Sequence, residues 1–209
     1  MTSLVELSVE DSVAILRLNR PDVRNAINDE MRAQFIAALE RAGNDEAVRA
    51  VVLTGNGKSF CSGGDISGMR DRLQAPSGKV AFNGWRRQQQ THKSVAALHG
   101  MGKVTVAAVN GAAAGLGCDI ALACDFIVAS EDAVFSMSFV RRGLVSDGGG
   151  MYFLPRRVGL SRAKEMIFAG RPVGSTEARL RLDWRIACVR WRRSYMKPRH
   201  GRAISVGVL

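Results

Sequence analysis

Val5, Leu7 and Val9 alternate with polar residues, Glu10-Asp11 supplies a turn, and Val13, Ile15, Leu16 and Leu18 follow, which predicts a β-hairpin over residues 4–19. Arg20-Pro21 ends it, and Asn28 then caps a helix with Asp29-Glu30 in its first turn and Met31, Phe35, Ala38 and Leu39 on its apolar face. Ala50-Val51-Val52-Leu53-Thr54 is too continuously apolar for a solvated sheet face and reads as a buried strand. Residues 70–84 are polar and contain Pro76-Ser77-Gly78, the pattern of a mobile loop, and Trp85 to Leu98 reads as a helix. A second buried strand, Val104 to Val109, runs through a turn of small residues into an apolar helix from about Cys118 to Cys124. Phe126 to Ala129 and Ala133 to Phe135 are further strands; Met151 to Val158 and Ser161 to Phe168 are helices, the latter with Ser161 as N-cap. Alternation of short apolar strands with helices predicts an α/β fold with βα crossovers and largely parallel pairing.

The chain is organised around Val104 to Asp119, where no bulky side chain stands between Gly111 and Gly115. Such a turn lets a second backbone or a ligand approach closely. The amides of Gly115, Leu116 and Gly117 sit at a helix N-terminus, where partial positive charge suits a phosphate or a developing oxyanion; close packing between a strand and a helix explains the same residues.

Composition narrows the classes. At 209 residues and 46% hydrophobic content the chain is long enough for one domain with a sizeable core. It has no apolar run of about 18 residues and no basic start followed by an apolar stretch, so neither a membrane span nor a signal peptide is expected. The four cysteines, Cys61, Cys118, Cys124 and Cys188, form no CxxC pair and read as reduced thiols of a cytosolic protein, with no zinc site. The net charge of +11 is uneven: residues 179–209 carry eight Arg, one Lys and one acid, and the first 178 residues are nearly balanced.

Several motifs fail on inspection. Gly57-Lys58-Ser59 ends like a Walker loop, but Val52 occupies the required glycine position. Asn110 to Gly117 approximates a dehydrogenase glycine fingerprint, yet Tyr152 and Tyr195 have Arg156 and Arg199 four residues on, and no acid is placed to hold a ribose, so NAD is not expected. A G-x-S-x-G elbow would need glycine at Phe60. His92, His99 and His200 lack metal-ligand spacing.

Two glycine-containing turns remain, Cys61-Ser62-Gly63-Gly64-Asp65 and Gly115-Leu116-Gly117, each after a buried strand. Should those strands be neighbours, the amides of Gly64 and Leu116 converge on one point and form an oxyanion hole, with Asp119 and Asp147 near enough to move a proton. On these residues the chain resembles the enoyl-CoA hydratase/isomerase family, the crotonase superfamily. The matching stretches are Asn19-Arg20-Pro21 with Arg24-Asn25-Ala26; Phe60 to Ile66; Val109 to Asp119; Cys124 to Ala129; and Gly143-Leu144-Val145 through Asp147 to Gly150, then Leu154-Pro155-Arg156. They occur in the family's order and spacing over about Val5 to Val173.

The resemblance implies a ClpP/crotonase-like fold of repeated ββα units with a helical C-terminal part, here incomplete, and assembly as a homotrimer or hexamer. It implies a coenzyme A thioester as substrate, coenzyme A being part of that substrate rather than a cofactor, and a hydratase or double-bond isomerase, a lyase or isomerase of fatty acid β-oxidation type. The thioester oxygen would lie between Gly64 and Leu116, and the adenine part along Gly64, Asp65, Ile66 and Ser67, with Ala26 and Ser62 beside it. Arg24 is either a phosphate contact or a solvated surface arginine. Family hydratases have glutamates at the positions of Asp119 and Phe139; here one is shortened and the other is lost, which argues against two-carboxylate hydration. Asp147 matches the acid of a double-bond-shifting branch. The expected mechanism has Asp147 take an α or γ proton, with Asp147 or Asp119 returning it. Simpler roles are a turn cap for Asp147 and a helix-start acid for Asp119.

The resemblance covers residues 1–178 as an acyl-CoA-binding domain and stops there. Residues 179–209 form a basic tail with Arg and Trp interleaved and no clear amphipathic period. It reads as a frame-shifted or truncated product, with a divergent basic segment or a nucleic-acid-binding arm as alternatives; no nucleic acid or membrane partner is expected of the body. A chain so altered leaves a second reading: a relative that binds acyl-CoA or partner subunits without turnover.

Overall fold

The computed structural model describes residues 3–180 and 186–189. The expected hairpin is β1 (Val5–Glu10) and β2 (Val13–Leu18), antiparallel with Val5 opposite Leu18. Its turn places Asp11 and Ser12 at positive φ. Helix α1 (Asp29–Asn44) starts as predicted: the Asn28 side chain accepts from the Met31 amide at 2.8 Å, and Met31, Phe35, Ala38 and Leu39 are buried.

Three ββα units follow. The first is β3 (Ala50–Gly55), β4 (Ser59–Cys61) and the helices α2 (Ile66–Leu73) and α3 (Ser77–His99). The second is β5 (Val104–Val109), β6 (Ala112–Ala114) and α4 (Leu116–Ala123). The third is β7 (Phe126–Ser130), β8 (Val134–Ser136) and, after a 3-10 turn at Ser138–Arg142, α5 (Gly150–Val158). Helix α6 (Leu160–Ala169), β9 (Pro172–Gly174), α7 (Ser175–Leu180) and β10 (Ile186–Val189) complete the described chain.

The units stack in register. The first strands lie side by side in one sheet of order β1-β2-β3-β5-β7-β10, and the second strands in another of order β4-β6-β8-β9. Apart from β1–β2 and β8–β9, every pairing is parallel. One face of these strands points into the core: Leu53, Ala107, Val109, Ile127 and Ala129 pair across the sheet and are buried with α4, whereas Val52, Val106 and Val128 on the other face are only half-buried. Asn110 joins the ends of β3 and β5: its Oδ1 accepts from the Gly55 amide at 3.3 Å, and its Nδ2 donates to the Gly57 carbonyl at 3.1 Å.

Some expectations are corrected. Residues 70–84 are not a loop: α2 and α3 fill the segment, leaving only 74–76 between them. The described side chains of the segment, Leu73, Lys79 and Phe82 among them, face solvent or are half-buried, so it shows no apolar stripe. Ser161 lies inside α6, whose N-cap is Gly159. Helix α4 begins at Leu116, earlier than Cys118. Val9 of the hairpin is exposed.

Of the expected tail 179–209, residues 181–185 and 190–209 lie outside the described residues. Arg179 and Leu180 belong to α7, and β10 pairs in parallel with β7, Ile186 opposite Ile127. No helix among the described residues is long and apolar enough to cross a membrane.

Candidate active site

The first glycine turn is held from behind by Asn25. This residue is fully buried with φ +57°, a conformation Asn tolerates better than most. Its Oδ1 accepts from the Arg20 amide at 2.9 Å, and its Nδ2 donates to the carbonyls of Asn56 at 3.0 Å and Ser59 at 2.8 Å. One side chain thereby ties residues 20–27 to β4. The chain then zips alongside: Ser62 donates its amide to the Arg24 carbonyl, Ile27 to Gly63, and Asp65 to Ile27, at 2.9, 2.8 and 3.0 Å. The Gly64 amide is skipped by this ladder.

The second turn also leaves an amide outside its helix. Gly115, at φ +51° and ψ −124°, precedes α4, so Leu116 is its first residue and has no intrahelical acceptor for its amide. The two turns touch. A Cβ on Gly63, whose φ is +98°, would stand 2.8 Å from the Ala114 carbonyl oxygen and 3.4 Å from the Leu116 nitrogen. Behind them, a Cβ on Gly117 would stand 2.2 Å from the Cys61 carbonyl oxygen, so β4 and α4 approach as closely as they do only because residue 117 is glycine. The strand neighbourhood expected from the sequence is therefore present, and Gly64 and Leu116 lie on adjoining turns.

The acids sit at the head of α5. Asp119 is fully buried. Its Oδ2 accepts from the Ser146 hydroxyl at 2.9 Å and the Gly148 amide at 3.0 Å, and its Oδ1 faces Gly150 without full hydrogen-bond geometry. Burial pushes its pKa up to about 7 against the lowering effect of these donors, with the neighbouring Asp147 adding to the rise. A Cβ on Gly148 would meet Leu116 Cδ1 at 2.6 Å and Asp119 Oδ2 at 2.8 Å, so this turn packs directly on the Leu116 side chain. Asp147, one residue earlier, keeps its side chain 25% exposed. Phe139 is packed against the core, its ring within 3.8 Å of where a Cβ on Gly115 would be. An apolar ring thus stands beside the second turn.

A cleft of about 240 Å³ opens at the first turn, lined by Ile27, Asn28, Gly64, Asp65, Gly68 and Arg87 among others. Arg87, on α3, places Nη2 3.5 Å from Asp147 Oδ2 and so connects the cleft to the acid. Asp65 accepts from Ser67 and pairs with Arg20 at 2.8 Å; these partners hold its carboxyl below the usual range despite the opposing effect of partial burial. Ile66 and Ser67 are exposed at the start of α2, Ala26 is half-buried, and the Ser62 hydroxyl donates to the Val23 carbonyl at 3.3 Å. Arg24 is exposed with φ +55°, on the rim rather than in the lining of the cleft. Arg87 was invisible in the sequence, one of several cations in a polar helix; Asn25 was signalled only as part of a motif.

Among the described residues no group of three or more His, Cys, Asp or Glu is placed to hold a metal. The thiols of Cys61 and Cys124 are buried, unpaired and pushed up to about 12, and that of Cys118 is raised further, all by desolvation.

Comparison with known proteins agrees with this architecture. The sequence profile described as enoyl-CoA hydratase/isomerase matches residues 8–181. A 1,2-epoxyphenylacetyl-CoA isomerase of Escherichia coli K12 is 36% identical over 178 residues, covering 85% of this chain and 67% of the relative. A 2,3-dehydroadipyl-CoA hydratase of the same organism is 35% identical over 179 residues, covering 85% and 66%. The crystal structure of an enoyl-CoA hydratase from Mycobacterium avium subsp. paratuberculosis K-10 superposes with a TM-score of 0.77 at 29% identity, covering 91% of this chain and 70% of that one. The chain spans about two thirds of the length of the curated relatives it matches.

Proposed function

This chain belongs to the enoyl-CoA hydratase/isomerase family, and we propose that it binds an acyl-CoA thioester and shifts a carbon–carbon double bond within the acyl chain. The supporting observation is the make-up of the site: the turns of Gly64 and Leu116 adjoin, a partly exposed Asp147 sits on the segment that packs against the Leu116 side chain, and the ring of Phe139 stands by Gly115 where a second carboxylate would have to be. The amides of Gly64 and Leu116 serve as the paired donors. Asp147 takes a proton from the α carbon of a 3-enoyl thioester as the C–H bond breaks. The electron pair delocalises onto the thioester oxygen, held by the two amides, and through the adjacent carbon–carbon double bond to the γ carbon. Asp147 then returns the proton to the γ carbon, leaving the 2-enoyl isomer, with no atom gained or lost. Asp119, buried and bonded to Ser146 and Gly148, anchors the turn that carries Asp147. The adenine part of coenzyme A runs along Gly64 to Ser67, beside Ala26 and Ser62, with Arg24 on the rim.

Addition of water to a 2-enoyl thioester is the second reading. The identity to a protein named as a hydratase favours it, and Asp119 and Asp147 would have to share the work. Assembly as a homotrimer or hexamer belongs to the same proposal; the exposed Leu144, Val145, Tyr152 and Phe168 are apolar surface that it would cover.

Calorimetric titration with a non-reactive short-chain acyl-CoA, beside free coenzyme A and NAD, tests the site, and assay of 3-enoyl and 2-enoyl thioesters tests the reaction. Thioester binding is expected, with isomerisation lost by roughly 10²–10⁴-fold in Asp147→Asn while binding persists. A folded protein that ignores the thioester, or an Asp147→Asn variant with parental turnover, refutes the assignment.

A further inference from the structure

Asp147 carries the proposed chemistry, yet nothing on its own segment fixes its carboxylate. Helix α3 meets it there with two consecutive residues. Arg87 Nη2 stands 3.5 Å from Asp147 Oδ2, and Gln88 Nε2 donates to the Asp147 carbonyl at 3.4 Å. The pair is itself braced, since Arg87 Nη2 donates to Gln88 Oε1 at 3.3 Å and Gln88 Nε2 meets His92 Nε2 at 3.1 Å. The Arg87 side chain is only 17% exposed, and Arg87 lines the same cleft as Gly64. It therefore links the acid to the cleft. Electrostatics gives it a second task. Asp147 lies close enough to the buried Asp119 for the two to repel, and a guanidinium beside Asp147 offsets that repulsion where the carboxylate is partly withdrawn from water.

We propose that Arg87 is the positioning residue of this site: it holds the Asp147 carboxylate at the cleft beside the amide pair and acts on the reaction only through that carboxylate. The inference rests on the isomerase reading above. A planar fork fixes direction as well as charge, so lysine replaces it incompletely. The cleft also presents Asp29, Glu30, Asp65 and Arg32. Because Asp65 is engaged by Arg20 and Ser67, Arg87 is matched to Asp147.

The test is 3-enoyl to 2-enoyl isomerisation by the full chain and by Arg87→Met, Arg87→Lys, Arg87→Ala, Asp147→Asn and the Arg87→Met/Asp147→Asn double variant, with thermal unfolding of each. Arg87→Met should lose about 10–100-fold in kcat with KM within about threefold, since positioning errors act on the chemical step. Arg87→Lys should recover part of the loss, and millimolar guanidinium ion should raise turnover of Arg87→Ala but not of Asp147→Asn. The double variant should be no slower than Asp147→Asn alone, because a residue that acts through another adds nothing once that one is gone. A loss in Arg87→Met that appears only in KM, a double variant slower than Asp147→Asn, or parental kcat in Arg87→Met overturns the inference and leaves the isomerase reading standing. A parent chain without isomerisation overturns that reading, and this inference with it.

Discussion

At the scale of single residues, Asp119 and Asp147 look alike in the sequence and are set apart by burial. Both are acids beside glycines, and either could have carried the proton. The fold seals Asp119 behind the turn at Gly148–Gly150 and leaves Asp147 partly exposed beside Arg87. This gives Asp119 a measurable signature. Its carboxyl, normally near 4 when unfolded, is raised to about 7 in the fold, so the folded chain holds a proton that the unfolded chain releases. Stability must therefore fall as pH rises from about 4 to about 7, by an amount on the order of a few kcal/mol. Asp119→Asn keeps an acceptor for Ser146 and Gly148 without the titration. Its urea midpoint should stay level from pH 5 to pH 8 while that of the parent declines; a parent midpoint that climbs over this range would mean that the α5 N-terminus favours the anion more than burial opposes it. Asp65 acts in the opposite sense and at lower pH. Its depressed carboxyl adds stability present above the unfolded pKa and lost as pH falls through the folded one. Asn28 shows the legible side of this scale, because an N-cap depends on its immediate neighbours alone, and residues 28–31 behave as their order predicts.

At the scale of elements, hydrophobic periodicity located the buried strands and α1, and failed where an element has little to bury. Residues 70–84 lack an apolar stripe and carry Pro76 and Gly78, so they resemble a loop; helix formation there follows the continuation of α3 into its packing on α1 and α4. The short strands of the second sheet, β4 and β6, were legible only as glycine turns, since three residues cannot show a period of two. Their spacing depends on glycine at one face. Gly117→Ala puts a methyl carbon 2.2 Å from a backbone oxygen that cannot swing aside, and should cost about 3 kcal/mol and abolish thioester binding by separating the two turns. Gly43→Ala, in α1 with nothing within 4 Å, should instead stabilise by roughly 0.5–1 kcal/mol and leave binding intact. Denaturant unfolding and titration of the two variants read both effects; equal outcomes would remove close backbone approach as the reason for Gly117.

At the scale of the whole molecule, the order β1-β2-β3-β5-β7-β10 gives β3 and β5 a hydrogen-bonded neighbour on each side, whereas β1 and β10 are the edges among the described residues. Native-state amide exchange should accordingly be slowest at Val51, Leu53, Ala107 and Val109 and fastest, among strands of this sheet, in β1 and β10. Exchange of β3 as fast as that of β1 would show that the sheet opens as a unit from its centre. Residues 186–189, from a stretch whose composition suggested a separate basic tail, lengthen the same sheet through β7. Parallel pairing needs no turn signal between its partners, so no local pattern announces such a strand.

The sequence by itself determined what depends on neighbours along the chain: the hairpin, the cap at Asn28, the apolar strands, and the two glycine turns with their aspartates, whose order and spacing carried the family resemblance. Tertiary structure alone decided what depends on residues far apart in the chain. Stacking of the ββα units brought Gly63 against Ala114 and Leu116, burial at Gly148 separated Asp119 from Asp147, and the crossing of α3 set Arg87 against an acid some sixty residues later. Composition and periodicity report which side chains leave water; which of them meet is set by sheet order and helix crossing, and these are properties of the packed core as a whole.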